Sequence, residues 1–375
     1  MDFVLSIGTV NLNSSNSDLN KSLLKCFVRD HSLDVVFLQE VIFDNFQFIN
    51  THVAILNRNR NELGTAMLVR KGLEYKDVLF QPNGRILSAT IANVNFINIY
   101  AFSGTNRKKE RDEMFKTDLA VHLNKGSTTT TILGGDFNCI LEAGDSKNSN
   151  KNYSSGLRGV IDSLKFKDIM LYKKCNEYTF IRADSASRID RFYVPSAMVD
   201  YVTQSQTVTV AFSDHRSVII KIKVKKTDSA IHGRGYWKIN SSIIGDDDVH
   251  SKFVSEYQIL KNRHIYSTDR NSWWNFVFKR KCRSFYKHES WNLNKKLFQG
   301  KQALHTKMAN LTGRLLLGDD VYNELQITKS RIMEMEMERL SQSDPRLGPQ
   351  TMAYNETISV FQIAAQLKRS SAFIR

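Results

Sequence analysis

The chain has 375 residues, 41% hydrophobic and 24% charged, which is too long for one small domain and too apolar for wholesale disorder. No apolar run nears the roughly 20 residues that cross a bilayer, and the start MDFVLSIGTVNLN lacks the basic head of a signal peptide. Cys26, Cys139, Cys175 and Cys282 are scattered with no CxxC pair, which disfavours a zinc knuckle or disulfide scaffold. The expectation is an intracellular protein, nuclear or cytoplasmic, neither secreted nor membrane-bound.

The net charge of +15 is unevenly placed. Residues 1–224 hold 28 Lys and Arg against 23 Asp and Glu, and residues 225–375 hold 25 against 15. Within 261–307 there are 12 basic and 2 acidic residues. Such a stretch suits a polyanionic partner, nucleic acid foremost, or else a solvated basic helix face.

In chain order, VLSIGTVNL, DVVFLQEV, GTAMLVR, ILSATIANV, FINIYAF, TTTTILGGDF, RIDRFYV and SVIIKIKV read as strands. Helical patterns lie between them in SDLNKSLLKCFVRDHS, KKERDEMFKTDLAVHLN and SGLRGVIDSLKF. In the first, Ser17 or Asp18 is an N-cap, and Leu19, Leu23, Leu24 and Phe27 share a face. Neighbouring strands look like hairpin partners, which predicts a mixed α/β layered fold with largely antiparallel sheets. Beyond KVKKTDSAIHGRGYWK the strand patterns stop. Residues 249–262, 271–317 and 320–342 read as helices, Pro345 and Pro349 end the last, and the final 25 residues are weakly helical. The expected division is 1–224 and 225–375, the second part mainly helical.

Four strand ends carry residues that packing does not require. They are Asn11 to Asn13, Gln39-Glu40, Gly134-Gly135-Asp136-Phe137-Asn138, and Asp190 paired with Ser213-Asp214-His215. Each alone reads as a turn former or a surface dipeptide. Together they supply what phosphodiester hydrolysis needs: a cation, an aligned water and a proton acceptor. Glu40 is the candidate carboxylate for Mg²⁺, with Mn²⁺ as a substitute. Asn11 and Asn13 are nearby oxygen donors, and Asp214 is a further contact. His215 suits proton transfer or phosphate contact, and Asp190 would fix its tautomer. Asp136 and Asn138, two apart on an extended segment, would face the same way to orient water and donate to a phosphate oxygen.

The order Asn…LQE…NIYA…GDFN…RID…SDH resembles the endonuclease/exonuclease/phosphatase superfamily, with its DNase-I-like fold. GTAMLVRKGL, NIYAFSGTNRKKERDEMF and EYTFIRADSASRIDRFYV are most similar to endonuclease domains of non-LTR (LINE-type) retrotransposons. The resemblance implies a two-layer β-sandwich flanked by helices, Mg²⁺ dependence and nicking of DNA, with no organic cofactor. It implies that Asn11, Glu40, Asp214 and, less closely, Asn13 serve the metal. Tyr100 would contact the scissile phosphate or aid catalysis, Asp136 and Asn138 would position the nucleophile, and Asp190 and His215 would form a pair. Ser14, Val10 and Arg191 depart from the family pattern, where glycine, an aromatic and tyrosine are common.

GYWKINSSIIGDDDVHSKF resembles the start of the connector that precedes a reverse transcriptase in LINE-type reading frames. No YxDD tetrapeptide follows, so the expectation is a truncated or domesticated copy, or a piece of a longer product. The interleaved basic and aromatic residues make Lys279, Arg280, Lys281, Arg283 and Lys287 candidate phosphate contacts on DNA or the element's RNA. Two other readings stand beside the nuclease: an idle nucleic-acid-binding remnant, and a phosphatase or phosphodiesterase of the same fold.

Overall fold

The computed structural model describes residues 2–58, 63–125, 130–147, 152–175, 177–182, 185–225, 243, 246–264, 269 and 273–343. Trp237, Pro345, Pro349 and the last 25 residues lie outside them. The described residues fall into two compact units, one of Met1–His232 with Lys307–Met333, the other of Gly233–Thr306 with Glu334–Arg375.

The first unit is built on two six-stranded sheets. One holds β1 (Asp2–Asn11), β2 (Val35–Val41), β3 (His52–Asn57), β4 (Gly64–Arg70), β13 (Val202–Thr209) and β14 (Arg216–Lys225), in the order β13-β14-β1-β2-β4-β3. The other holds β5 (Tyr75–Phe80), β6 (Ile86–Ile91), β7 (Val94–Tyr100), β8 (Thr131–Asp136), β9 (Phe166–Asp168) and β12 (Asp190–Pro195), in the order β5-β6-β7-β8-β12-β9. A short hairpin of β10 (Phe180–Arg182) and β11 (Ser185–Ser187) stands apart. Among the described strands, only β1 with β2 and β7 with β8 run parallel; the other pairs are antiparallel, as the hairpin-like sequence spacing predicts.

The sheets face each other through alternate side chains. Leu5, Ile7, Val35, Phe37 and Met67 of one meet Leu87, Phe96, Ile132 and Phe192 of the other in a single buried cluster. Phe37 sits at its centre, with ring centroids 6.1 Å from Phe96 and 5.7 Å from Phe192. The outer face of the second sheet presents Ile97, Ile99 and Leu133 to Met114, Phe115, Leu119, Leu157 and Ile161. These come from α2 (Lys108–Lys116), α3 (Asp118–Lys125) and α4 (Ser155–Ser163). The sequence pattern reads α2 and α3 as one helix; the chain instead breaks at Thr117, whose hydroxyl donates to the Glu113 carbonyl at 2.9 Å. In α1 (Asp18–Asp30), Ser17 is the N-cap, accepting the Asn20 N–H at 3.1 Å, and Leu23, Leu24 and Phe27 are buried. The four-residue α5 (Ile169–Tyr172) is capped by Asp168.

In the second unit, α6 (Asp247–His264) and the start of α7 (Lys279–Leu317) close a small core of Ile243, Val249, Phe253, Phe278, Cys282 and Tyr286. Phe278, Cys282 and Tyr286 recur every four residues, the spacing of one helix face. A π-helical turn at Trp273–Phe278 precedes α7, and Trp274 stacks on Phe278 at 4.8 Å. Back in the first unit, the end of α7 and the start of α8 (Tyr322–Ser343) form a helical hairpin around Gly318, whose φ of 106° suits a residue without a Cβ. Met308, Leu311, Leu315, Leu325 and Ile332 of that hairpin are buried. No helix among the described residues is long and apolar enough to cross a membrane.

Candidate active site

The sheet register gathers the polar strand ends at one edge of the sandwich. Parallel pairing sets Asn11 beside Gln39 and Tyr100 beside Asp136, while antiparallel pairing sets Asp190 opposite Asp136. His215 precedes β14, which runs antiparallel to β1 with Val218 opposite Thr9. Every strand end singled out in the sequence therefore reaches the same rim.

Asn11 ties the sheets together there. Its side-chain amide donates to Glu40 Oε1 at 3.1 Å and to Asp136 Oδ2 at 3.0 Å. Glu40 also accepts from Ser14 Oγ at 2.7 Å and from the Tyr100 hydroxyl at 3.3 Å. A bulge makes this reach: the β2–β4 register slips between Leu38 and Val41, and Glu40 takes a left-handed φ of 54°. Asn13 and Ser14 have φ of 50° and 51°, and Asn138 has 48°. Each such residue costs on the order of 1 kcal/mol, and their concentration at one rim is how functional geometry is commonly held. Asn13 joins through its backbone N–H, which donates to Asn11 Oδ1 at 2.9 Å, while its side chain is exposed.

Asp136 and Asn138 do come together, but not along an extended segment. The left-handed turn at Asn138 lets its N–H donate to Asp136 Oδ1 at 2.9 Å and its side-chain amide to Asp136 Oδ2 at 3.1 Å. The two preceding glycines are required by space. A Cβ on Gly135, at φ 133°, would fall 2.0 Å from the Ile99 carbonyl oxygen, and one on Gly134 would fall 2.4 Å from the Phe192 ring.

Asp190 Oδ2 lies 2.9 Å from His215 Nδ1, which leaves Nε2 for another partner. Thr179 Oγ1 fixes this carboxylate's strand by accepting the N–H groups of Ile189 and Asp190, both at 3.0 Å. Asp190 Oδ1 is buried without a hydrogen-bond partner among the described residues. One ligand-capable atom each of Asp136, Asp190 and His215 lie within 4.8 Å of one another. Burial alone would lower the His215 pKa, but the facing Asp190 carboxylate raises it to about 10. Burial and the nearby Asp190 charge push Asp136 up to about 7. Burial and the charge of Glu40 raise the Tyr100 phenol, so its hydroxyl remains a donor.

A second layer joins Gln39, which the sequence reading singled out, to Asn98, to which it assigned no role. Gln39 Nε2 donates to Asn98 Oδ1 at 2.7 Å and to Thr9 Oγ1 at 3.0 Å. The Asn98 amide donates across to the Leu38 and Ala66 carbonyls at 3.0 and 2.9 Å. All three side chains are fully buried, so the network locks the sheets together directly beneath Glu40. The signal was present: Gln39 and Asn98 are polar positions inside otherwise apolar strands. Arg191, which departs from the family pattern, is fully buried, pairing with Asp145 at 2.9 Å and donating to the Cys139 carbonyl at 2.9 Å. Asp214 is half-buried beside His215, and its carbonyl accepts the Ile181 N–H at 3.3 Å.

A profile of the Endonuclease/Exonuclease/phosphatase family matches residues 8–215, spanning this whole rim. The chain belongs to that family. It is 25% identical over 348 residues to the Transposon TX1 uncharacterized 149 kDa protein of Xenopus laevis, across 84% of this chain. It spans only 25% of that relative's length. Among solved structures, the AP endonuclease of Leishmania major superposes with a TM-score of 0.51 at 18% identity, over 59% of this chain and 88% of that one. A variant of the 3′ phosphatase NExo from Neisseria, bound to product DNA hairpin, superposes at 0.50 with 21% identity, over 58% and 99%.

As an endonuclease/exonuclease/phosphatase protein, the chain offers a rim of oxygen donors with no thiolate, which fits a hard divalent cation. Glu40 is oriented by three hydrogen bonds, from the Asn11 amide, the Ser14 hydroxyl and the Tyr100 hydroxyl, while the Asn11 amide oxygen accepts the Asn13 N–H. The candidate phosphate-contacting residues of the basic stretch belong to the second unit. Arg280, Lys281, Arg283 and Lys287 are exposed and Lys279 is half-buried, on helix positions flanking the buried Phe278, Cys282 and Tyr286.

Proposed function

We propose that this chain is a divalent-metal-dependent DNA endonuclease of the retrotransposon type, with Mg²⁺ or Mn²⁺ as its ion. The observation that carries the reading is the Asn11 amide, which joins Glu40 to Asp136 beside the Asp190–His215 pair. A cation-binding carboxylate and a proton-handling pair thus share one rim, as phosphodiester hydrolysis requires.

Glu40 and Asn11 would hold the ion, with Asn13 and Asp214 as outer contributors. An ion held there would supply charge neutralisation at the phosphate and at the departing oxygen. Asp136, with a pKa of about 7, is poised to accept a proton from water near neutrality. Asn138 holds that carboxylate and fixes its direction. His215 keeps its proton at neutral pH, so Nε2 donates to a phosphate oxygen, and Asp190 holds the ring. The Tyr100 hydroxyl, which donates to Glu40 in the free protein, would turn its single hydrogen to the same phosphate. Lys279, Arg280, Lys281, Arg283 and Lys287 add phosphate contacts on DNA or on the element's RNA, without reading bases.

The transposon relative supports the mobile-element assignment, and the DNA hairpin bound by the Neisseria protein supports DNA as the substrate class. The test offers the full chain labelled duplexes that are intact, abasic or 3′-phosphorylated, with Mg²⁺. Internal cleavage of intact or abasic duplex is the expected product. Release of inorganic phosphate alone would replace the endonuclease reading with a phosphatase one.

A further inference from the structure

The hairpin Lys307–Met333 is grouped with the sandwich, although it lies well beyond the family match at residues 8–215. It reaches the His215 turn on both sides. On one side, Lys329 Nζ donates to the Ser213 carbonyl oxygen at 2.8 Å. Ser213 Oγ in turn accepts the His215 N–H at 3.0 Å. On the other side, the Thr312 and Thr209 hydroxyls lie 3.5 Å apart, and Thr209 Oγ1 accepts from Arg216 Nε at 3.2 Å. The residues before and after Asp214-His215 are therefore both held from this hairpin. The hairpin itself is firm: Met308, Leu311, Leu325 and Ile332 are buried, and Lys307 pairs with Glu324 at 2.9 Å.

We propose that Lys329 is a positioning residue for His215, acting through the Ser213 carbonyl, so that a helix outside the family domain completes the site. The inference rests on the endonuclease reading. A charge-assisted donor on a buried turn fixes its carbonyl more strongly than a neutral one. The bonds Lys329–Ser213 and Ser213–His215 tie the helix to the backbone of His215, so a shift of the helix moves the base of the ring. A displaced general acid or phosphate donor loses rate before it loses affinity, because binding draws on many other contacts.

The test compares full-length wild type, Lys329→Met and Lys329→Arg with Mg²⁺ in single-turnover plasmid nicking. Alongside it run DNA affinity, thermal midpoint and the ring resonances of His215. Lys329→Met keeps the apolar stem and removes the donor. The expected result is a rate about tenfold lower at unchanged DNA affinity, measured at a temperature well below the thermal midpoint, which the lost hydrogen bond itself lowers. Lys329→Arg should regain most of the rate, and the His215 resonances should shift in the Met variant alone. Equal rates with unmoved resonances would overturn the inference, as would a loss confined to DNA affinity. A wild-type chain that cuts no DNA would overturn the endonuclease reading instead, and the resonances would then decide the role of Lys329.

Discussion

At the residue scale, two opposing influences act on His215, and a substitution separates them. Burial lowers its pKa, while Asp190 first and then the charges of Asp136 and Asp214 raise it, so Asp190→Asn should bring the imidazole well down from about 10. Titrating the ring proton by NMR checks this, and a value that stays high would deny the pairing. The same shift makes a stability claim. A group whose folded pKa is raised stabilises fully below its unfolded value, and the contribution fades as pH climbs to the folded one. The urea-midpoint advantage of wild type over His215→Gln should therefore shrink between pH 6.5 and about 10. An advantage that grows over that window would reverse the sign. The catalytic candidates were legible because charged residues at strand ends have no packing reason to be there. The partners of Ser14, Thr179, Gln39 and Asn98 were not, because a neutral polar side chain, in a strand or in a turn, does not disclose which element it will face.

Among elements, β8 and its exit are the most constrained. Gly135→Ala would set a methyl against the Ile99 carbonyl at a backbone angle that side chains rarely adopt. The expected loss is about 2 kcal/mol or more by chemical denaturation, with the Asp136 carboxylate displaced. Gly144→Ala, with nothing within 4 Å, should change stability by less than about 0.5 kcal/mol. Comparable losses for the two would mean that the close approach at Gly135 is wrong. The central strands β1, β2, β4, β6, β7, β8, β12 and β14 could be read from their apolar runs. Edge strands such as β5, with Tyr75, Lys76 and Asp77 exposed, and β13, VTQSQTVT, could not, since half of each faces water and breaks the pattern. The slip at Glu40 was equally hidden, because a bulge is a property of pairing rather than of one strand.

For the whole molecule, the charge difference between the two parts of the sequence predicts a difference in salt-dependent binding. In the second unit Phe253, Phe278 and Tyr286 are buried, Trp291 is exposed, and Arg280, Lys281, Arg283 and Lys287 face outward. Replacing Arg280, Lys281, Arg283 and Lys287 by Gln should weaken DNA binding and lower the slope of log affinity against log salt by about 0.9 per lost phosphate contact. The pattern of nick sites should not change. An unaltered slope would leave these residues as a solvated face. The central claim is that Glu40 holds the metal that drives phosphodiester cleavage. It is tested most directly by nicking of supercoiled plasmid, with and without Mg²⁺, by wild type and Glu40→Gln. The account predicts Mg²⁺-dependent nicking by wild type and a rate at least about a hundredfold lower for the folded variant. Nicking by Glu40→Gln at the wild-type rate in limiting Mg²⁺ would contradict it.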